Sequence, residues 1–130
     1  MTIAQSPSDL LSQAEILGMS GLDFMRGILE GLIPGPPIGH TMTYTLQAVE
    51  EGRVVFRGAP EFSATNPLGT VHGGWYGTLL DSAMACAVMT KVPKGAVYTT
   101  LEHRGNSLRS IPLGADIDCV GGIDRAGRSC

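Results

Sequence analysis

Gly73-Gly74-Trp75-Tyr76-Gly77-Thr78-Leu79-Leu80-Asp81-Ser82-Ala83-Met84-Ala85-Cys86-Ala87-Val88-Met89-Thr90 is the stretch that decides the fold. It opens on a glycine pair and reads as one helix, from Gly73 to about Thr90. That helix is apolar nearly all round, through Leu79, Leu80, Ala83, Met84, Ala85, Ala87, Val88 and Met89. A helix without a polar face must be surrounded by protein. Its small residues Gly77, Ala83, Ala85 and Ala87 let a sheet approach closely. The most apolar run, Ala83 to Met89, is far too short to cross a bilayer.

Working outward, the period changes from helical to two. Before the helix, from His40, Thr41, Thr43, Thr45 and Gln47 alternate with Met42, Tyr44, Leu46 and Ala48, as in a half-buried strand. Glu50-Glu51-Gly52 is a turn, and Arg53 to Gly58 pairs back as a hairpin. A loop from Ala59 to Leu68 leads to the helix. After it come a Pro93-Lys94-Gly95 turn, a strand from Ala96 to Leu101 and another from Gly114 to Val120, beyond the Pro112 break. Further upstream, Ser6-Pro7-Ser8-Asp9 is a helix entry. Ser20 caps a helix whose stripe is Leu22, Met25, Ile28, Leu29 and Leu32, stopped by Pro34-Gly35-Pro36-Pro37. The expected division is an N-terminal helical arm, 1–37, and a main unit, 38–130. The class is α+β, with one helix wrapped by an antiparallel sheet.

Composition narrows the function. The 130 residues carry 43% hydrophobic and only 16% charged side chains, which marks a globular chain with some surface covered by another subunit. A net charge of −3 and the lack of any basic run argue against nucleic acid and against a polybasic membrane anchor. Residues 1–25 hold no Lys or Arg, and Asp9 and Glu15 interrupt them, so no secretory signal is expected. Cys86, Cys119 and Cys130 follow no metal-ligand spacing and read as reduced thiols of a cytoplasmic protein, with Cys86 in the core.

Asp81 is the residue that asks for a function. A carboxylate amid apolar helix positions is costly unless it is paired, neutralised or used. The plain alternative is an Asp that reaches solvent or a neighbouring loop. Gly73 and Gly74 leave the amides of the helix start unshielded, where the dipole is positive. Such an end can hold a phosphate or polarise a carbonyl oxygen; equally, it can be a tight turn with His72 as its cap. Asp81 lies eight residues after Gly73, roughly 12 Å along a helix axis. One carbonyl cannot touch both on one chain. If they cooperate, the second group comes from a subunit packed antiparallel across a two-fold axis.

The run Asn66-Pro67-Leu68-Gly69-Thr70-Val71-His72-Gly73-Gly74, followed by Leu79-Leu80-Asp81-Ser82-Ala83, resembles the PaaI-like acyl-CoA thioesterases of the hotdog superfamily. Tyr98-Thr99-Thr100-Leu101-Glu102 and Gly52-Arg53-Val54-Val55-Phe56 are similar as well. The resemblance implies hydrolysis of a thioester to free acid and CoA, without metal or organic cofactor, by a homodimer or homotetramer whose sites are shared between subunits. Asp81 would attack the thioester carbonyl or activate water, and the Gly73 amide would be the oxyanion donor. His72 would sit near the thioester and the departing thiolate. Asn66 would orient the reacting groups, although an Asx-turn before Pro67 is its other reading. Thr100 would hold the water, or be an ordinary β-branched strand residue. Gly74, Arg104 and Arg109 would meet the substrate, the arginines through the CoA phosphates or else as plain surface charges. The acyl group would be aryl-acetyl or of medium length.

Two departures qualify that resemblance. The family carries two more long strands where this chain reads as finished after the Asp124-Arg125-Ala126-Gly127 turn. His103-Arg104-Gly105-Asn106-Ser107 is also more polar than a strand of that family. The expectation is a hotdog sheet lacking its last two strands, with low solubility or dependence on oligomerisation. The alternative function is a non-catalytic or degenerate hotdog protein that binds acyl-CoA. A hydratase on this fold is disfavoured, because the Phe-Pro-Gly context of its His is absent.

Overall fold

The structure, a computed structural model, describes residues 1–127. The arm comprises α1 (Gln13–Leu17) and α2 (Gly21–Leu29), followed by the short α3 (Pro37–Thr41). The main unit runs β1 (Tyr44–Glu50), β2 (Arg53–Gly58), the long helix α4 (Gly73–Met89) and β3 (Ile117–Gly122). The expected capping chemistry is present: the Ser20 hydroxyl accepts from the Asp23 amide at 3.1 Å and starts α2. Ser6-Pro7-Ser8-Asp9 closes only a single 3-10 turn, tied by the Asp9 carboxylate accepting from the Gln5 and Ser6 amides.

The three strands form an antiparallel sheet in the order β1-β2-β3. α4 lies across it and buries Trp75, Leu79, Ala83 and Ala87, each at 2% exposure or less. These recur every four residues, so they form one face of the helix. Against them stand Val54 and Phe56 of β2, Leu46 of β1 and Cys119 of β3. The close approach read from the small helix residues occurs at Ala83. A Cβ on Gly121 of β3 would collide with the Ala83 carbonyl, so glycine is needed on the strand as well as alanine on the helix. Gly77 faces elsewhere, toward the His103 ring.

The arm is fastened to the far end of α4. The Gly21 amide donates to the Val92 carbonyl at 2.9 Å, and the Gly95 amide to the Leu17 carbonyl at 3.0 Å. Met25 and Ile28 of α2 join the same hydrophobic core as the sheet and α4.

Several expectations change. The first strand begins at Tyr44 instead of near His40, because Pro37 starts a helical turn and Thr43 sits at φ 58, which ends it abruptly. Within β1 the pairing shifts between Leu46 and Ala48, so Gln47 is an extra residue and Val49, not Ala48, turns back to the core opposite Val54. The expected strand at 96–101 does not form a ladder: residues 96–112 have no regular secondary structure. The segment joins neither edge strand of the described sheet, β1 or β3, and Leu101 is left 94% exposed. The last strand begins at Ile117, after a turn in which Gly114 takes φ 77. Nor is α4 covered all round, since Leu80, Met84 and Val88 are 37%, 39% and 42% exposed. Cys86 and Cys119 are free thiols, while Cys130 lies outside the described residues. Among the described residues no helix is long and apolar enough to cross a membrane.

Candidate active site

The loop ahead of α4 is built by Asn66. Its side-chain oxygen accepts from the Leu68 amide at 2.9 Å and the Thr70 amide at 3.3 Å, and its amide nitrogen donates to the Thr70 hydroxyl at 2.9 Å. This is the Asx-turn reading realised, with the side chain occupied by its own loop. The His72 amide donates to the Ala64 carbonyl at 2.8 Å, which returns the chain to the start of the helix.

His72 is the N-cap of α4, and its Nδ1 accepts from the Gly74 amide at 2.8 Å. One of the orphan amides of the helix start is thereby satisfied. Gly73 differs: it is exposed at the positive end of the helix, and a side chain built there would meet none of the described residues within 4 Å. A concavity of about 470 Å³ borders this end, and His72, Gly74, Thr65 and Thr78 are among its walls. It is suited to an oxygen that carries negative charge.

Two turns along α4, Asp81 is half-buried, and its Oδ1 accepts from the Thr100 hydroxyl at 3.2 Å. Although Thr100 is not in a strand, residues 98–111 follow α4 closely. His103 lies over Gly77, Gly105 over Leu80, and the Ile111 amide donates to the Tyr76 hydroxyl at 3.0 Å. The surroundings of Asp81 are protonated and weakly polar. Burial pushes the Cys86 thiol up to about 12, and the Asp81 charge adds to the shift. Tyr98 is likewise raised to about 12 by burial, then by Cys86 and Asp81. Burial also raises Tyr44, opposed by the hydrogen bond between its hydroxyl and that of Ser82 at 2.7 Å.

Asp81 thus has Cys86, Tyr98 and Tyr44 as electrostatic neighbours; the sequence put them in the core, in the family-like run and on the first strand, none of them beside Asp81. Helical spacing gave little signal: Ser82 is next to Asp81 and Cys86 five residues on, so neither shares its face of α4. Asp81 and Thr100 are brought together, as are His72, Gly73 and Gly74. The two groups are not brought to each other, being separated along the helix. Arg104 donates to Glu102 at 2.7 Å in an exposed pair, and Arg109 is exposed on the same irregular segment. Among the described residues, no three His, Cys, Asp or Glu side chains converge as a metal site would require.

Residues 68–130 match the model of the thioesterase superfamily. No curated protein matches the chain. Among solved structures, a phenylacetic acid degradation-related protein from Ralstonia eutropha is 27% identical. The similarity covers 81% of this chain and 80% of that one, with a TM-score of 0.74. A variant of the phenylacetic acid degradation protein PaaI from Thermus thermophilus is 25% identical over 71% of this chain and 76% of its own, at a TM-score of 0.65. A thioesterase family protein from Silicibacter pomeroyi is also 25% identical, covering 71% and 67%, at a TM-score of 0.66. The small α+β arrangement of an antiparallel sheet and a long helix is the hotdog fold of these neighbours. Together the matches support a hotdog thioesterase similar to the PaaI-like proteins.

Proposed function

We propose that this hotdog chain hydrolyses an acyl-CoA thioester to the free acid and CoA. The observation that carries the reading is Asp81: a half-buried carboxylate on the central helix, within hydrogen-bond reach of a threonine hydroxyl. In the mechanism, the Gly73 amide polarises the thioester carbonyl, and Gly74 lets the substrate approach. Asp81 either attacks that carbonyl, expelling the CoA thiolate and leaving a mixed anhydride that water hydrolyses, or takes a proton from a water held by Thr100 as that water adds and the thiolate departs. A thiolate is a good leaving group, so a carboxylate and one oriented donor suffice. His72 lies beside the departing sulfur, Asn66 keeps the preceding loop in shape, and Arg104 and Arg109 meet the CoA phosphates.

Because Asp81 and Gly73 lie roughly 12 Å apart along one helix, the working site takes them from two subunits of a homodimer or of a homotetramer built from such pairs. The protein acts in the cytoplasm and takes no nucleic acid or membrane as partner.

The test uses a panel of acyl-CoA esters and a thiol-detecting reagent. Asp81→Ala, shown to be folded by circular dichroism, is expected to lose about 10²–10⁴-fold in kcat/KM. Undiminished hydrolysis in that variant would remove Asp81 from the mechanism. Binding of acyl-CoA with no turnover by the native chain would select the non-catalytic alternative.

A further inference from the structure

We propose that the acyl portion of the substrate lies in an apolar groove between the N-terminal arm and α4, and that Cys86 limits how far it extends. The identity of the ligand rests on the thioesterase reading; the groove does not. It encloses about 440 Å³, walled by Leu11, Phe24, Met25 and Ile28 from the arm, Cys86 from α4 and Tyr98 from the segment beyond it. Among the described residues, no charged side chain lines it. That volume lies in the range of roughly 300–1,000 Å³ usual for small-molecule sites.

The groove shares Cys86 and Tyr98 with the surroundings of Asp81. Tyr98 is two residues before Thr100, whose hydroxyl donates to the carboxylate. Behind Met25, Ile28, Pro36 and Cys86 lies a smaller cavity of about 60 Å³, bounded by Tyr44 and by Ser82, the neighbour of Asp81. The wall between the two spaces therefore includes a methionine and a cysteine, side chains that adapt readily to a guest.

The other concavities are ill suited to an alkyl chain. The basin of about 770 Å³ is lined by His40, Thr41, Gln47 and Glu61, and no proposed site residue borders it. The concavity at His72 and Gly74 is edged by the hydroxyl residues Ser63, Thr65 and Thr78. An uncharged alkyl or aryl-alkyl chain is the occupant whose chemistry the apolar groove matches.

S-alkyl-CoA thioethers carry the chain but no thioester, so their binding is independent of catalysis. Titration calorimetry across acetyl-length to dodecyl-length thioethers is expected to give about fourfold tighter binding per buried methylene, then a plateau once the groove is full. Cys86→Phe brings that plateau to a shorter chain. Leu11→Trp, on the arm side of the groove, does so without altering α4, and it decides the matter if Cys86→Phe does not fold. A length profile that is flat in the native protein, or unchanged in the folded variants, would overturn the proposal. Length-dependent thioether binding without hydrolysis of the matching thioesters upholds the groove and defeats the hydrolase reading. Hydrolysis with a flat profile does the reverse.

Discussion

The two faces of α4 follow different rules. Trp75, Leu79, Ala83 and Ala87 are sealed against the sheet, and their side chains are chosen by fit. Leu80, Met84 and Val88 are as apolar but more than a third exposed, and Asp81 interrupts them. On the first face volume is constrained, and one strand glycine is as necessary as a tryptophan. On the second, an ionisable group is tolerated because solvent and the Thr100 hydroxyl reach it. Hydrophobicity is similar on both faces, so it does not distinguish structure from function; packing does.

That contrast can be broken by substitution. Trp75→Ala should cost about 3–5 kcal/mol in urea unfolding, since it opens a cavity and removes the indole donor from the Met42 carbonyl at 2.7 Å. A loss below about 1 kcal/mol would mean that the sealed face is not the packing face. Gly121→Ala should cost about 1–3 kcal/mol, because its methyl must displace the Ala83 carbonyl. Gly122→Ala is the control, with none of the described residues within 4 Å of the added carbon. Met84→Gln should change stability by less than about 0.5 kcal/mol in dilute solution. A larger loss that grows with protein concentration would show that a second subunit covers the open face.

Much of this was legible from local chemistry. Continuous apolarity with a glycine entry gave α4 its full length, and the turn at Gly52 gave the β1–β2 hairpin. Asp81 and Thr100, singled out from the sequence, do meet. What was not legible depends on pairing at a distance. Val97 and Leu101 look like strand residues, yet their segment pairs with neither β1 nor β3, the edge strands of the described sheet, and lies along α4 instead. Alternation likewise does not announce the extra residue at Gln47. Arg104 illustrates a third limit: its exposed pair with Glu102 is not announced by any spacing in the sequence. The approach of Tyr98 and Thr100 to Asp81 joins segments remote in the chain, which no local pattern displays.

The irregularity in β1 has a geometric consequence. A strand that gains one unpaired residue bends and twists more strongly at that point. α4 is a rod of about 10–12 Å diameter, and a flat ribbon would touch it along a single line. With the kink at Gln47, Leu46 and Val49 can both turn inward although an even count would send one of them to solvent. One inserted residue on the solvent side thus supplies curvature, and curvature is what lets so few strands wrap a cylinder.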